Sequence, residues 1–367
     1  MKSIDRLSKR EEQRALELHR KCIFINGIEP LSLNFYNEDF WEKIKESGMT
    51  AANKPVVLHE LRNEKYDKIG VNYGAILRKI GDYYRFLDEY PSKSMLVTKT
   101  EDILRAKKEG KYGIIMGLQD STPIEESISV LSVLYQLGIR IIQLSYSVRN
   151  RLADGCGEKS DAGLSMLGVK AVTEMNRFGI VVDLSHVGHR STMEAIELSK
   201  DPVVFTHANA YSVYPVARNK RDDAIKALAK KGGVIGCMGY APVVKGVDIP
   251  TVEDFLDHID YIVKLVGVDY VGIGIDLPWH YTAPEWREFT EKWGEFFEMY
   301  ASASPISKAQ MQLRNLTANG LDALELFPNI TKGLVARGYS DEEIEKILGG
   351  NFMRVFKAVW KTKFLGE

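Results

Sequence analysis

The sequence has few cysteines, no long apolar run and no excess of charge of either sign. Its three cysteines, Cys22, Cys156 and Cys237, are an odd number and form no Cys-x-x-Cys pair. This pattern argues against a disulfide framework and against a structural zinc site. No apolar run is long enough to span a bilayer, and the charged N-terminus lacks the apolar core of a signal peptide. We therefore predict a cytoplasmic protein without a membrane partner.

Charge and length restrict the class of protein further. Forty-nine Lys and Arg residues nearly balance 50 Asp and Glu residues, which argues against a nucleic-acid partner. A hydrophobic content of 45% with 27% charged residues is typical of a soluble globular protein with a sizeable core. The 367 residues suffice for one large barrel or two ordinary domains. Since no break in composition divides the chain, we predict one domain covering residues 1–367.

Short β-branched segments alternate with amphipathic helical segments along most of the chain. The candidate strands are residues 22–28, 51–57, 112–119, 139–146, 180–186, 202–208, 233–239 and 270–276. Such alternation favours a parallel sheet covered by helices. Eight candidates predict an α/β fold, a (β/α)8 TIM-like barrel, with a doubly wound sheet as the weaker alternative.

The two ends of the chain are predicted to add helices to this barrel. A charged segment forms an N-terminal helix at about residues 5–21, and C-terminal helices occupy about residues 307–362. Within them Ser340 and Glu343 form a capping box, and Gly349-Gly350 stops the helix. The aromatic and charged residues 276–300 are expected to form a long loop with a helix.

Polar residues stand where the candidate strands end, which is where barrels of this type carry their active sites. They are Glu29, Gln119, Tyr146, His186, His207 and Asp276. A lone histidine at a strand end is more often structural than a ligand. Two histidines on consecutive strands, His186 and His207, favour a ligand pair for Zn²⁺, Mn²⁺ or Fe²⁺, although useful affinity needs a third ligand.

Asp276 and Arg218 each allow two interpretations. Asp276 follows Gly-Ile-Gly-Ile, where glycines permit a close backbone approach; it is either a cap for the next turn or a general base. Arg218 is either an ordinary surface charge or a bidentate partner for a substrate carboxylate. The remaining histidines do not occur beside other candidate ligands in the sequence, and we expect them to be structural or surface residues.

Longer motifs resemble the renal (membrane) dipeptidase family, peptidase family M19. The matching strings are MNRFGIVVDLSHVG (175–188), THANAYSV with ARNKRDD (206–223), KKGGVIGCM (230–238), VGIGID (271–276) and GYSDEEIEKILGGNFMRVF (338–356). The resemblance extends from about residue 20 to 360. It implies a barrel of the metal-dependent hydrolase (amidohydrolase-like) type, a homodimer, and hydrolysis of dipeptides with two zinc ions.

The same resemblance assigns roles residue by residue. His186 and His207 match the two histidines that bind one metal, and Asp276 matches the catalytic aspartate. Arg218 matches the arginine that binds the substrate carboxylate, and Asn150 matches an asparagine in the loop after the fourth strand.

The other metal ligands of the family are missing. The family begins with a His-x-Asp pair where this chain has NGIEP, so that Ile28 and Pro30 replace the histidine and the aspartate. Gln119 replaces the bridging glutamate, and Tyr146 replaces a substrate-contacting histidine. Two dications about 3.5–4 Å apart need anionic ligands between and around them. We therefore predict a single divalent metal, zinc, bound by His186, His207 and Gln119 or the displaced Glu29, with Asp276 as base or as the anionic ligand; a metal-free pocket is the alternative.

Three functions agree with this pattern. The first is a dipeptidase-like, metal-dependent hydrolase of a small peptide or amide substrate with a carboxylate, in which Asp276 is the base and Tyr146 supports the oxyanion. The second is a diverged relative, namely a one-metal or metal-free hydrolase or a lyase, because barrels exchange chemistry through their loops. The third is a homologue that binds a ligand without turnover.

Overall fold

The computed structural model describes residues 3–57, 73–124, 127–246, 248–276, 305, 310 and 316–361. Their contacts divide the chain into two compact units. The first unit comprises residues 1–49, 206–226 and 234–352, and the second comprises residues 50–205, 227–233 and 353–367. Whether the chain behaves as one domain stays a prediction.

Strands and helices alternate as the sequence predicts. The strands are β1 (Ile25–Asn26), β2 (Ala51–Val57), β3 (Ser94–Leu96), β4 (Tyr112–Leu118), β5 (Ile139–Gln143), β6 (Val181–Asp183), β7 (Val204–Phe205), β8 (Val234–Cys237) and β9 (Val271–Ile273). The helices are α1 (Lys9–Lys21), α2 (Glu38–Glu46), α3 (Tyr73–Glu89), α4 (Thr100–Glu109), α5 (Val130–Gln136), α6 (Met166–Phe178), α7 (His189–Leu198), α8 (Asp222–Lys230), α9 (Ala241–Val244), α10 (Val252–Val266), α11 (Pro328–Ala336), α12 (Asp341–Glu345) and α13 (Asn351–Val359).

All the strand pairs within each unit are parallel. In the second unit β4 pairs with β2, β3 and β5, and β5, β6 and β7 follow one another. In the first unit β9 pairs with β1 and with β8. Every residue of β4 is buried, as expected for a strand of a parallel sheet that is covered on both faces. Strand β3, three residues long and paired with β4, is not among the strands predicted from the sequence.

Helix ends follow from local sequence. Ser165 caps α6 by accepting a hydrogen bond from the Gly168 N–H, and Gly179 ends this helix with φ 80°. Ser8 with Glu11 caps α1, which begins at Lys9. The predicted N-terminal helix of about residues 5–21 is therefore a short 3₁₀ turn at Ile4–Arg6 followed by α1. A serine or glycine at these positions satisfies backbone groups that the helix leaves unpaired.

The C-terminal helices are partly as predicted. The capping box of Ser340 with Glu343 is present, but Gly349-Gly350 does not stop the helix. Residues Lys346–Gly350 form a π-helical turn that leads directly into α13. A Cβ atom at Gly349 would lie 2.5 Å from the Ile23 carbonyl oxygen, so the glycine permits close packing where a stop was expected. Residues 307–309, 311–315 and 362 of the predicted segment, like the predicted loop after Asp276, lie outside the described residues.

His19 illustrates the structural role expected of the unassigned histidines. Its Nδ1 lies 2.7 Å from the Thr331 hydroxyl and its Nε2 lies 2.7 Å from the Ser47 carbonyl oxygen. Both ring nitrogens are therefore used to join α1 to α11 and to the end of α2. Among the residues that the structure describes, no helix is long and apolar enough to cross a membrane.

Candidate active site

In the first unit, strand register brings two carboxylates to the same end of the sheet. Asn26 of β1 is in register with Ile273 of β9, and Glu29 and Asp276 each follow three residues later. Because parallel strands share one direction, both side chains emerge at the C-terminal edge, where barrels carry their active sites. The negative charge of Glu29 contributes to raising the pKa of Asp276, as expected for neighbouring carboxylates.

Asp276 has unusual backbone and acid–base properties. Its φ of 77° is rare for a residue other than glycine. Burial raises its pKa from 3.8 to about 6; Arg218 opposes this rise and Glu29 adds to it. The carboxyl group therefore changes charge close to neutral pH, which suits a general base. The alternative role as a helix cap lies outside the described residues, because the chain after Asp276 is not among them.

Glu29 is fully buried and is held by two donors. The Tyr36 hydroxyl donates to its Oε2 at 2.6 Å, and the Leu31 N–H donates to its Oε1 at 2.7 Å. Such hydrogen bonds stabilise a carboxylate away from water. Glu29 lies between Ile28 and Pro30, so a buried acid stands between the two positions at which the sequence predicts that metal ligands of the family are missing. Tyr36 was not identified from the sequence, since it lies outside every strand end.

His207, just after β7, is buried and uncharged. Burial, followed by the positive charges of Arg218 and Lys220, holds its pKa well below the usual range. Its Nδ1 lies 2.7 Å from the Thr206 hydroxyl. A neutral imidazole is the form that binds a metal or acts as a base.

Arg218 is buried, with 2% of its surface exposed, so its interpretation as an ordinary surface charge is wrong. Its Nη2 donates to the His207 carbonyl oxygen at 2.7 Å. The guanidinium also influences the pKa of Tyr240, which follows β8 and whose pKa is raised by burial and by Asp276. Tyr240 was missed by sequence reasoning, although it stands directly after a predicted strand. His207, Arg218, Tyr240 and Asp276 therefore belong to one electrostatic cluster with Glu29.

Three glycines explain how the strand ends of this unit approach so closely. A Cβ atom at Gly27, Gly236 or Gly274 would lie 2.1, 2.2 or 2.1 Å, respectively, from the Thr206 carbonyl oxygen. No side chain fits at these distances. Two glycines precede Asp276, where the sequence predicts a close backbone approach. Gly274 approaches Thr206 and His207, whereas Gly272 approaches the side chain of Phe352.

In the second unit, His186 packs against the loop that follows β5. Its ring stacks on Tyr146 with centroids 4.0 Å apart, and its Nδ1 lies 2.7 Å from the Ser147 hydroxyl. His186 is buried and Tyr146 is partly buried. Two of the sequence-predicted site residues are thus in direct contact here. Ser147, which shares this contact, was not identified from the sequence.

Gln119 and Asn150 belong to the same unit. Gln119 is buried directly after β4, and its carbonyl oxygen accepts a hydrogen bond from the Gln143 side chain. Asn150 Nδ2 donates to Leu144 O, Ser121 Oγ and Asp120 Oδ1, and its Oδ1 accepts from Leu152 N and Ala153 N. The Asn150 side chain therefore organises its own loop.

The side chains at positions 28 and 30 differ from the ligands of the two-metal centre that the family resemblance implies. Ile28 is buried, with 1% exposed, and neither Ile28 nor Pro30 offers a side-chain donor atom. Within the described ranges, no three or more His, Cys, Asp or Glu side chains are grouped so that they could hold a metal ion. A two-metal site does not fit these residues. The imidazole donors that remain are His207 in the first unit and His186 in the second.

The sequence matches the profile of the membrane dipeptidases over residues 13–286 and 314–364. The chain belongs to peptidase family M19. This membership confirms the resemblance inferred from the motifs, and it supports a peptidase-type hydrolase function.

Relatives with curated names point the same way. The chain is 30% identical over 289 residues to an uncharacterised dipeptidase of Schizosaccharomyces pombe, covering 77% of this chain and 61% of the relative. It is 28% identical over 282 residues to dipeptidase tcpJ of Claviceps purpurea, covering 75% and 57%. The aligned region thus spans about 60% of the length of these relatives.

Solved structures establish the fold class. An amidohydrolase from Pseudomonas aeruginosa superimposes with a TM-score of 0.81 at 31% identity, covering 94% of this chain and 99% of the other. A metallopeptidase from Rhodobacter sphaeroides, bound to a phosphinate mimic of the dipeptide L-Ala-D-Ala, superimposes with a TM-score of 0.72 at 16% identity, covering 92% and 99%. The predicted fold, an α/β TIM-like (β/α)8 barrel with flanking helices, is confirmed.

Proposed function

We propose that this protein is a dipeptidase-like hydrolase of a small peptide or amide substrate that carries a carboxylate. The main support is the buried Arg218. Its guanidinium donates to the His207 carbonyl oxygen, and its positive charge lowers the pKa of Asp276. A buried guanidinium beside a candidate base is suited to hold a substrate carboxylate through two parallel hydrogen bonds. This contact would orient the scissile bond toward Asp276.

Three further side chains complete the proposed mechanism. Asp276 takes the proton of the attacking water, because a carboxyl group with a pKa of about 6 is ionised at pH 7 and still basic enough to accept it. The Tyr146 hydroxyl donates a hydrogen bond to the oxygen on which negative charge develops. Asn150 contributes to substrate binding through the loop that it organises.

We propose one divalent metal, zinc, bound by His186, His207 and Gln119. When bound, the metal supplies a water of lowered pKa and polarises the carbonyl group. Ile28, Pro30 and Gln119 replace one neutral and two anionic ligands of the family, so two negative charges are absent from the expected two-metal centre. A second dication would lack the charge compensation that such centres require.

Metal analysis tests this proposal directly. Purified wild type should contain about one equivalent of zinc, and His186→Ala should contain none. His189→Ala is the matched control, because His189 begins α7 and is only partly buried. Two equivalents in wild type would contradict the single-metal site.

A substrate panel tests the reaction. Dipeptides with a C-terminal carboxylate should be hydrolysed, whereas the same dipeptides with a C-terminal amide should react at least about tenfold more slowly, because Arg218 has no anion to bind. Hydrolysis would be measured with and without added Zn²⁺ or Mn²⁺. Failure to cleave any dipeptide under all these conditions would argue against the hydrolase proposal.

A metal-independent reaction is the second candidate. It is favoured by the finding that no group of three His, Cys, Asp or Glu side chains suited to a metal exists within the described ranges. In this case the acid–base pair of Asp276 and Glu29 would act with Arg218 alone, as a hydrolase or a lyase. Turnover that persists after dialysis against a chelator would select this candidate.

The localisation, oligomeric state and partners of the protein are also proposals. We propose a cytoplasmic protein that forms a homodimer and acts on a small dipeptide-like molecule, without nucleic acid or membrane. The near-balance of 49 basic and 50 acidic residues supports the absence of a nucleic-acid partner. Light scattering of the purified chain and fractionation of expressing cells would test both statements.

A further inference from the structure

Both candidate ligand histidines have a hydroxyl group at the same ring nitrogen. In the second unit, His186 Nδ1 lies 2.7 Å from Ser147 Oγ. In the first unit, His207 Nδ1 lies 2.7 Å from Thr206 Oγ1. Both hydroxyl residues are buried, Ser147 at 4% exposure and Thr206 at 0%. The two contacts arise in different loops and from different local sequences. Ser147 is 39 positions from its histidine, whereas Thr206 directly precedes its own.

Ser147 is held in place by a strained backbone and by the chain that folds over it. Its φ of 58° lies in the left-handed region that favours glycine. The Gly157 N–H donates to the Ser147 carbonyl oxygen at 2.7 Å, and the Cys156 N–H donates to the His186 carbonyl oxygen at 2.8 Å. A Cβ atom at Gly155 would lie 2.1 Å from the Ser147 carbonyl carbon. The segment 155–157 therefore fixes Ser147 and His186 together.

Thr206 is fixed by another device. Gly27, Gly236 and Gly274 pack directly against its carbonyl oxygen, where a Cβ atom would lie 2.1–2.2 Å away. A Cβ atom at Gly274 would also lie 3.1 Å from both Cα and Cβ of His207. In each unit, glycines thus pack against the residue that carries the hydroxyl, and the hydroxyl meets Nδ1 of the histidine.

We propose that Ser147 and Thr206 are positioning residues that accept the Nδ1–H of His186 and His207 and thereby hold both imidazoles in the tautomer whose Nε2 carries the lone pair. A neutral imidazole has a single N–H, and the partner of one nitrogen decides which nitrogen bears it. Partners of this kind also orient a metal-binding ring and increase its basicity. The inference rests on the proposed single-metal function, but the tautomers can be observed without any metal.

Two variants at position 147 distinguish the effect of losing the hydroxyl group from the effect of backbone strain. Ser147→Ala removes the hydroxyl but keeps a side chain for which positive φ is unfavourable. Ser147→Gly removes the hydroxyl and also relieves the backbone strain. Ser145→Ala is the matched control: Ser145 is fully buried, and its hydroxyl donates to the Asp154 carbonyl oxygen at 3.2 Å. At the other histidine, Thr206→Val removes the hydroxyl at nearly constant size and Thr206→Ser retains it.

The readouts are the ¹⁵N spectrum of the histidine rings in metal-free protein and the affinity for added Zn²⁺. We expect protonated Nδ1 at His186 and His207 in wild type, in Ser145→Ala and in Thr206→Ser. Ser147→Ala and Ser147→Gly should move the His186 proton toward Nε2, Thr206→Val should do so at His207, and each should weaken zinc binding by about 10–100-fold.

Three results would overturn the inference. One is an unprotonated Nδ1 at His186 and His207 in wild type. Another is an unchanged ring spectrum in the variants that lack a hydroxyl. The third is zinc binding that is weakened in Ser147→Ala but normal in Ser147→Gly, since strain would then be the cause. If wild type binds no zinc, the single-metal function is wrong, and the ring spectra alone decide the role of the hydroxyls.

Discussion

Replacing Asp276 by Asn should make the protein more stable at neutral and alkaline pH while removing activity. Burial raises the pKa of Asp276 from 3.8 to about 6, so the folded state holds the ionised form less well than the unfolded chain does. One pKa unit corresponds to about 1.4 kcal/mol, which gives about 3 kcal/mol for this change. Below about pH 4 the protonated carboxyl group contributes this amount to the free energy of unfolding, relative to the ionised group. The contribution is lost as the pH rises through about 6.

Asparagine is the appropriate replacement at this position. It keeps the shape of the side chain and tolerates the φ of 77° that Asp276 adopts. It cannot ionise, so it avoids the unfavourable burial of charge. The free energy of unfolding of Asp276→Asn should therefore exceed that of wild type by up to about 3 kcal/mol at about pH 8, and the difference should approach zero at about pH 4. Loss of the base should lower kcat by about 10²–10⁴-fold.

Denaturant unfolding at several pH values measures this difference. Asp88→Asn is the matched control, because Asp88 is exposed on α3 and its replacement should change stability little at any pH. Equal stability of Asp276→Asn and wild type at alkaline pH would refute the reasoning. A stabilisation that is the same at acid and alkaline pH would refute it as well, since the gain would then not come from removing a buried charge.

The remaining predictions concern the charges and the close packing around the same cluster. Arg218→Lys should raise KM for carboxylate substrates by about tenfold or more and leave amide analogues unaffected, because an ammonium group cannot make the bidentate contact; steady-state kinetics with both substrate types measure this. Glu29→Gln should move the acid limb of the pH–rate profile to lower pH, because the Glu29 charge helps to raise the pKa of Asp276; an unmoved limb would contradict their coupling. Gly236→Ala should prevent soluble expression, because its Cβ would lie 2.2 Å from the Thr206 carbonyl oxygen, whereas Gly81→Ala, with nothing within 4 Å, should express normally.

Most of the fold could be predicted because it depends on local patterns. Each of the eight candidate segments contains a strand, and residues 51–57 agree at both ends. Helix α6 was recognisable from its apolar spacing and from Gly179, whose left-handed conformation few other residues adopt. By contrast, the pair Gly349-Gly350 predicts a helix end, because glycine commonly follows the last turn of a helix. Its actual role, contact with the Ile23 carbonyl oxygen, depends on a residue more than 300 positions earlier.

The site could be predicted only in part, because the type of residue at a strand end does not reveal how deeply its side chain is buried or which charges surround it. The sequence indicated that His207 and Asp276 end two strands, and the family motifs added roles for them. It did not indicate that Arg218 is buried or that the pKa of Asp276 rises to about 6. Both properties come from distant contacts.

Backbone strain occurs at two of the residues that carry the candidate chemistry. Only three residues other than glycine have positive φ within the described ranges, and they are Ser147, Asp276 and Leu316. The first contacts a candidate ligand histidine and the second is the candidate base. Strain of this kind costs of order 1–3 kcal/mol for each residue and persists where the surroundings enforce it. A chain under no functional constraint would gain stability from glycine at each position, so the strained serine and the strained aspartate each favour a retained functional role.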